Sequence, residues 1–199
     1  MSRGDDRREA ILEAATELFL KHGYEGTSLD MVIARAGGSR RTVYERFGNK
    51  EGLFAAVVED MLDKLLAKLS QLDWAEGAPQ EVLTRIGTAF IRALVAPRAV
   101  ALFRIVIGEV SRFPKLGTSM FERGPERAYA QVGKYISAQV DGGTFKPVDP
   151  DLAARQLLEM IKGDMHLRAL LGARRAPSGK EIERHVSSAV ATFLNGAAV

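Results

Sequence analysis

The sequence predicts an all-α protein: an N-terminal three-helix module followed by a larger helical domain, about nine helices in all. Two observations carry that expectation. Apolar residues recur at the i, i+3, i+4, i+7 spacing of helices with one buried stripe, and the interruptions fall on glycine, proline, aspartate and asparagine. Alternating apolar and polar runs flanked by hairpin turns, the mark of strands, are absent. A chain of 199 residues with 46% apolar side chains can bury a core, which sets aside intrinsic disorder.

The elements follow in order. Ile11, Ala14, Ala15, Leu18 and Phe19 form the stripe of a first helix over residues 7–22, and Gly23 stops it. Thr27 is a suitable N-cap for a second helix, with Asp30 at its third position, where a carboxylate favours the positive end of the helix dipole. Leu29, Val32, Ile33 and Ala36 are its apolar face, and Gly37-Gly38 ends it after about nine residues. Ser39 caps a third helix over 40–47, which buries Val43 and Phe47 and closes at Gly48-Asn49. A long fourth helix, capped by Asn49, is expected from residue 50 to about 72. Further helices are expected over 80–95, 98–112, about 118–140, 150–171 and 179–195. The expected domains are residues 1–52 and 53–199.

Composition removes several chemistries. With no cysteine there is no disulfide framework, thiolate nucleophile or cysteine-ligated metal centre. The first residues are charged, and no stretch approaches the roughly 18–20 apolar residues of a membrane span, so a soluble, cytoplasmic protein is expected. His22, His166 and His185 fall on separate helices. Asp164 and His166 are two apart and project from different sides of a helix, and no nucleophile elbow, His-Glu-x-x-His pair or phosphate loop occurs. No enzymatic activity, metal or cofactor is expected.

The formal charge of +3 does not by itself announce a nucleic-acid partner; its distribution is more informative. Residues 35–50 carry Arg35, Arg40, Arg41, Arg46 and Lys50 against the single acid Glu45, whereas residues 1–34 hold four basic and seven acidic side chains. A short helix, a glycine turn and a second short helix make the helix-turn-helix unit, whose second helix enters the major groove. Arg40 and Arg41 have the chemistry to reach guanine edges or phosphates. The hydroxyls of Ser39, Thr42 and Tyr44 can donate to phosphate oxygens, and Lys50 with the first amides of the fourth helix adds a further anion site. A three-helix cluster with a merely solvated basic face is the plainer alternative.

The wording of the segment decides between them. Ile11-Leu12-Glu13-Ala14-Ala15, Leu18-Phe19, Gly23-Tyr24, Thr27-Ser28, Ala36-Gly37, Ser39, Thr42-Val43-Tyr44, Phe47 and Asn49-Lys50-Glu51-Gly52-Leu53-Phe54 strongly resemble the TetR/AcrR family of bacterial regulators over about residues 7–60. The resemblance implies an all-helical homodimer whose first three helices bind double-stranded operator DNA, while the C-terminal domain dimerises and encloses an inducer pocket. Carried over by position, Ser28, Tyr44 and Lys50 look like phosphate contacts and Arg40, Arg41 and Thr42 look like base-facing residues. Thr27 completes the candidate set. The family often has a small residue where Ile33 and Arg41 stand and an aliphatic one at Gly38. Repression is the expected sign. A helical protein-interaction adaptor without operator binding is the competing class, and retention of Arg40, Arg41, Tyr44 and Lys50 argues against it.

Farther on, Arg104-Ile105-Val106-Ile107-Gly108-Glu109, Arg112-Phe113-Pro114, Phe121-Glu122-Arg123-Gly124-Pro125 and Gly163-Asp164-Met165-His166-Leu167-Arg168 resemble the AefR-like C-terminal subgroup. Family dimers pair their last two long helices. Leu157, Ile161, Gly163, Leu167, Leu171, Val186, Val190 and Phe193 are therefore candidates for the interface, with Gly163 permitting close approach. An intramolecular core is the alternative for each, because periodicity does not say which chain covers a face. Met61, Leu65, Trp74, Phe90, Phe103, Ile107, Phe121, Tyr129 and Met160 are candidate lining for a small, largely apolar inducer, with ordinary core packing as the alternative.

Overall fold

A computed structural model describes residues 3–37, 39–173 and 176–197; Gly38, named above, lies outside the described residues. The helices are α1 (Arg3–His22), α2 (Leu29–Ala36), α3 (Arg40–Phe47), α4 (Lys50–Ser70), α5 (Pro79–Leu94), α6 (Pro97–Glu109), α7 (Pro114–Phe121), α8 (Arg127–Asp141), α9 (Pro150–Lys162), α10 (Met165–Leu171) and α11 (Gly179–Ala197). No β-strand occurs among the described residues. The fold is all-α, as the apolar periodicity predicts. Among the described residues no helix is long and apolar enough to cross a membrane.

The chain forms two units, Met1–Lys64 with Ala101–Met120, and Leu65–Val100 with Phe121–Val199. The divisions fall within α4 and α6 and at the end of α7. In the first unit, the stripe of α1 meets the other helices over an aromatic centre: Phe19 and Phe54 lie edge to face at 4.9 Å, and Tyr24 is 5.3 Å from Phe54. Val32 of α2, Val43 of α3, Leu53, Val57 and Val58 of α4, and Leu102 and Val106 of α6 close around them. Truncating one such phenylalanine to alanine costs about 3–5 kcal/mol, so α2 and α3 are held by a substantial core.

In the second unit α5, α8, α9 and α11 pack together through Leu83, Ile86, Ile91, Ile136, Leu157, Leu158, Ile161, Val186 and Val190. Gly87 of α5 makes the close approach: a Cβ there would stand 2.7 Å from Ile161 Cδ1 and 2.9 Å from Val186 Cγ1. Gly163, expected to permit close approach, does so within its own chain while ending α9 with φ 49°: a Cβ there would stand 2.8 Å from the ring of His185 on α11, whose Nε2 is 3.1 Å from the Met160 carbonyl.

Helix α1 begins at Arg3 rather than at residue 7 and α6 ends at Glu109 rather than at 112, and three further boundaries differ from expectation. Ser28, not Thr27, caps α2, accepting the Met31 N–H at 3.2 Å, which moves Asp30 to the second helical position. The helix expected over 118–140 begins at Pro114, and a π turn at Glu122–Glu126 precedes α8. Pro125 lies in that turn; it donates no N–H and its ring crowds the carbonyl four residues back, so the ladder widens there. The helix expected over 150–171 is broken at Gly163-Asp164 into α9 and α10, because positive φ at Gly163 is incompatible with helix continuation.

Candidate nucleic-acid interface

The α2–turn–α3 segment carries the charge-rich surface, and local chemistry sets it up. Each helix starts on a serine whose hydroxyl satisfies an otherwise orphaned amide: Ser28 accepts from Met31, and Ser39 accepts from the Thr42 N–H at 3.1 Å while lying 3.0 Å from the Thr42 hydroxyl. Gly37 (φ 69°) follows α2, and Gly48 (φ 75°) ends α3 with its N–H donating to the Tyr44 carbonyl at 2.9 Å. Asn49 Oδ1 accepts the Gly52 N–H at 2.8 Å and starts α4.

Val43 is buried and Phe47 half-buried, fixing which side of α3 faces the core. At 100° per residue, Arg41 and Glu45 then point farthest outward, flanked by Thr42 and Tyr44. Their exposures agree: the side chains of Arg41 and Glu45 are 85% and 60% accessible, and Tyr44 is an exposed aromatic. Arg41 Nε donates to Glu45 Oε1 at 2.7 Å. Arg40 sits nearer α2 and donates to Asp30 at 2.6 Å, joining the two helices. Both are exposed pairs worth about 0–1 kcal/mol each, so either yields readily to a stronger anion.

Lys50 is less open, 26% accessible, with its ammonium 4.4 Å above the Tyr24 ring and 3.8 Å from Glu25 Oε2. Burial, then the nearby Glu51 charge, pushes the Tyr24 hydroxyl above its ordinary value, so that ring stays neutral. Ser28, Ser39, Arg40, Arg41, Thr42 and Tyr44 are all on α2, α3 or their caps, with exposed or half-buried side chains, and Lys50 opens α4. Thr27 needs correction: it is only 2% accessible, and its hydroxyl donates to the Gly23 carbonyl at 2.9 Å, which leaves nothing to offer DNA. Glu45 was not singled out from sequence. Its signal was its place four residues after Arg41, on the same helix face.

The C-terminal candidates separate. Leu157, Ile161, Val186 and Val190, expected at a dimer interface, are covered by helices of their own chain, since α5, α9 and α11 pack on one another, whereas Phe193 packs against Phe145 and also lines a cleft. Leu167 and Leu171 of α10 stand exposed, as does Gly163. Among the inducer candidates, Trp74 and Phe90 meet at a cavity of about 10 Å³ with Leu69, Ile86, Ala128, Gln131, Val132 and Leu158. That space holds about one water. Trp74 donates its indole N–H to the Leu69 carbonyl at 3.2 Å. Tyr129 donates to Glu159 at 3.0 Å and lies under the Arg155 guanidinium, 4.8 Å away. Leu65 and Met160 are half-buried in the second unit, and Met61 and Phe103 pack against the core of the first. Ile107 and Phe121 are exposed large apolar residues.

Capped short helices, an outward arginine and a lysine at the next helix start form a helix-turn-helix unit, and similarity to helix-turn-helix regulators makes the chain a DNA-binding transcriptional regulator. Comparison with known proteins gives the family. Residues 11–57 match the bacterial regulatory proteins of the tetR family, and residues 81–196 match the C-terminal domain of AefR-like transcriptional repressors. The chain belongs to the TetR family, with an AefR-like C-terminal domain. The chain is 46% identical over 61 residues to the HTH-type transcriptional repressor ComR of Escherichia coli, a match spanning 31% of this chain and 29% of ComR. It is 27% identical over 159 residues to the HTH-type transcriptional regulator YhgD of Bacillus subtilis, covering 78% of this chain and 80% of that one. A TetR-family regulator from Mesorhizobium loti superposes with a TM-score of 0.85 at 29% identity over the whole of both chains. The flavonoid-responsive regulator FrrA superposes at 0.83 with 27% identity over 98% of each.

Proposed function

We propose that the protein is a homodimeric, cytoplasmic repressor that grips a near-palindromic operator with paired α3 helices and releases it on binding a small, largely apolar molecule. The observation that carries this is the outward face of α3, where Arg41, its side chain 85% accessible, stands beside Thr42 and Tyr44. Arg40, Arg41 and Thr42 meet base edges, while Ser28, Ser39, Tyr44 and Lys50 meet phosphates. Two α3 helices spaced about one DNA turn, roughly 34 Å, read the two half-sites.

The second copy packs on the exposed side of α9 and α11, where a cleft of about 450 Å³ is lined by Leu152, Gln156, Thr192 and the edge of Phe193. Release follows from differential affinity: a ligand that prefers the DNA-incompetent arrangement weakens operator binding by that preference and no more. The name of FrrA, a close structural relative, favours planar aromatic compounds as first probes. Trp74, the sole tryptophan, stands beside Phe90 in the C-terminal unit and reports directly on a ligand there.

The test titrates a protein–operator complex with a panel of flavonoids and simple aromatic acids while recording operator occupancy and Trp74 emission. The expected result is a compound that quenches Trp74 and releases DNA over the same concentration range. Operator occupancy unchanged across the panel would count against an apolar aromatic inducer.

A further inference from the structure

The turn after α1, the start of α4 and the turn between α6 and α7 bring three charges together in the first unit. Glu25 divides its carboxylate between two cations: Oε1 is ion-paired with Arg112, and Oε2 lies 3.8 Å from Lys50 Nζ, which also points at the Glu25 carbonyl at 3.5 Å. Aromatic contacts fix the spacing. Arg112 lies 4.9 Å over Phe113, Phe113 packs edge-on against Tyr24 at 5.2 Å, and Lys50 lies 4.4 Å over the opposite partner of that stack, Tyr24 itself.

We infer that Arg112 and Glu25 are positioning residues for DNA binding: Arg112 holds the Glu25 carboxylate back from the Lys50 ammonium, leaving Lys50 available to an operator phosphate. The inference rests on the reading that Lys50 meets phosphate. A lysine committed to a carboxylate has less charge to give a phosphate, and an uncompensated Glu25 also repels DNA. All three groups lie well within a Debye length of about 10 Å at 0.1 M salt, so ions in solution do not hide one from another. Lys50 is the least solvated of the three, with 26% accessibility against 66% for Glu25 and 60% for Arg112, and so responds most to its neighbours. Because Arg112 belongs to the α6–α7 turn and not to the reading helices, a shift of that turn changes the grip of Lys50 on the backbone without touching base recognition.

The test measures affinity for one fixed duplex at several salt concentrations, using the full chain with Arg112→Gln, Arg112→Lys, Glu25→Gln, the Arg112→Gln/Glu25→Gln pair, and each of these again with Lys50→Ala. Thermal unfolding of every variant confirms that it folds. At low salt Arg112→Gln is expected to weaken binding about three- to fivefold, the range of an exposed charge pair. Arg112→Lys keeps wild-type affinity, Glu25→Gln tightens binding by a similar factor, and the pair binds within about twofold of Glu25→Gln alone, because without Glu25 there is nothing for Arg112 to hold back. A pair that merely averages back to wild type marks additive net charge and overturns the inference. With Lys50→Ala the effect of Arg112→Gln falls below about twofold. If Arg112→Gln weakens binding as strongly without Lys50 as with it, the effect is long-range net charge and the inference is overturned. If Arg112→Gln and Glu25→Gln both weaken binding and the pair matches either alone, the ion pair is structural only and the inference is again overturned. Should Lys50→Ala itself leave affinity and salt slope unchanged, the phosphate reading of Lys50 fails, and the inference with it.

Discussion

The Arg41 guanidinium donates to the Glu45 carboxylate at 2.7 Å across one turn of α3, on the side of the helix opposite the buried Val43. The pair pre-orients Arg41 along the outermost ridge of the module, and it is exposed enough to exchange its carboxylate for a guanine edge at little cost. Arg41→Ala is expected to weaken binding to the preferred operator by about 1–3 kcal/mol and to relax preference at one base-pair position per half-site. Titration against single-base operator variants checks this. An equal loss on every variant makes Arg41 a phosphate contact.

Ser39 serves α3 in two separable ways. Its hydroxyl caps the Thr42 amide, so Ser39→Ala should lower stability by about 1 kcal/mol. Ser39→Asp keeps the cap and adds a charge beside the DNA backbone. The unfolding midpoint should then recover while DNA affinity falls, a split that thermal unfolding and duplex titration together reveal. Parallel recovery of both would show that Ser39 does not face phosphate.

Gly87 tests the packing of the C-terminal unit. Ala is the better helix former by up to about 1 kcal/mol, yet a methyl at this position meets two fully buried, branched side chains, Ile161 and Val186, which have no room to turn away. Overpacking of this kind costs about 1–3 kcal/mol, so Gly87→Ala should lower the denaturant midpoint. A raised midpoint would mean that α5, α9 and α11 pack less closely than described.

Leu152 and Leu157 lie on one helix and should behave differently. Leu157 is part of the unit's own core, and Leu157→Ala should cost about 2–5 kcal/mol in stability. Leu152 is exposed beside the cleft proposed for the second copy. Leu152→Glu should leave monomer stability near wild type and shift the protein from dimer to monomer in sedimentation velocity. A Leu152→Glu protein that stays dimeric places the interface elsewhere.

Tyr129 gives a pH signature. Burial first, and then its hydrogen bond to the Glu159 carboxylate, pushes its hydroxyl up to about 12 from 10.0. The neutral phenol is thus favoured in the folded state, so its stabilising contribution is complete below pH 10 and is lost as pH rises toward 12. Difference absorbance of Tyr129→Phe against wild type should show one tyrosine missing from the high-pH part of the titration. Loss of a tyrosine titrating near pH 10 would contradict the Glu159 contact.

Much of this was legible in the sequence, for physical reasons that also mark where legibility ended. Helices α2 and α3 are short, with a serine immediately before each and a glycine after it, so local chemistry alone located the reading module. Thr27 and Ser28 are both competent caps in adjacent positions, and only the backbone shows which one holds the extended conformation. Leu157, Ile161, Val186 and Val190 have an apolar periodicity that looks the same whether a neighbouring helix or a second chain covers it. The Arg112–Glu25 pair spans 87 positions and leaves no local pattern. The π turn around Pro125 likewise keeps helical periodicity on both sides while changing the register between them.

The most direct measurement is selection of bound duplexes from a random pool by the purified protein, followed by salt titration of the enriched sequence. The account requires an enriched inverted repeat with half-sites about one turn apart, bound by two chains, with log affinity falling linearly against log salt. A pool that yields no motif, with only weak and salt-sensitive binding to every sequence, would contradict operator recognition by α3 and leave the helical adaptor as the better description.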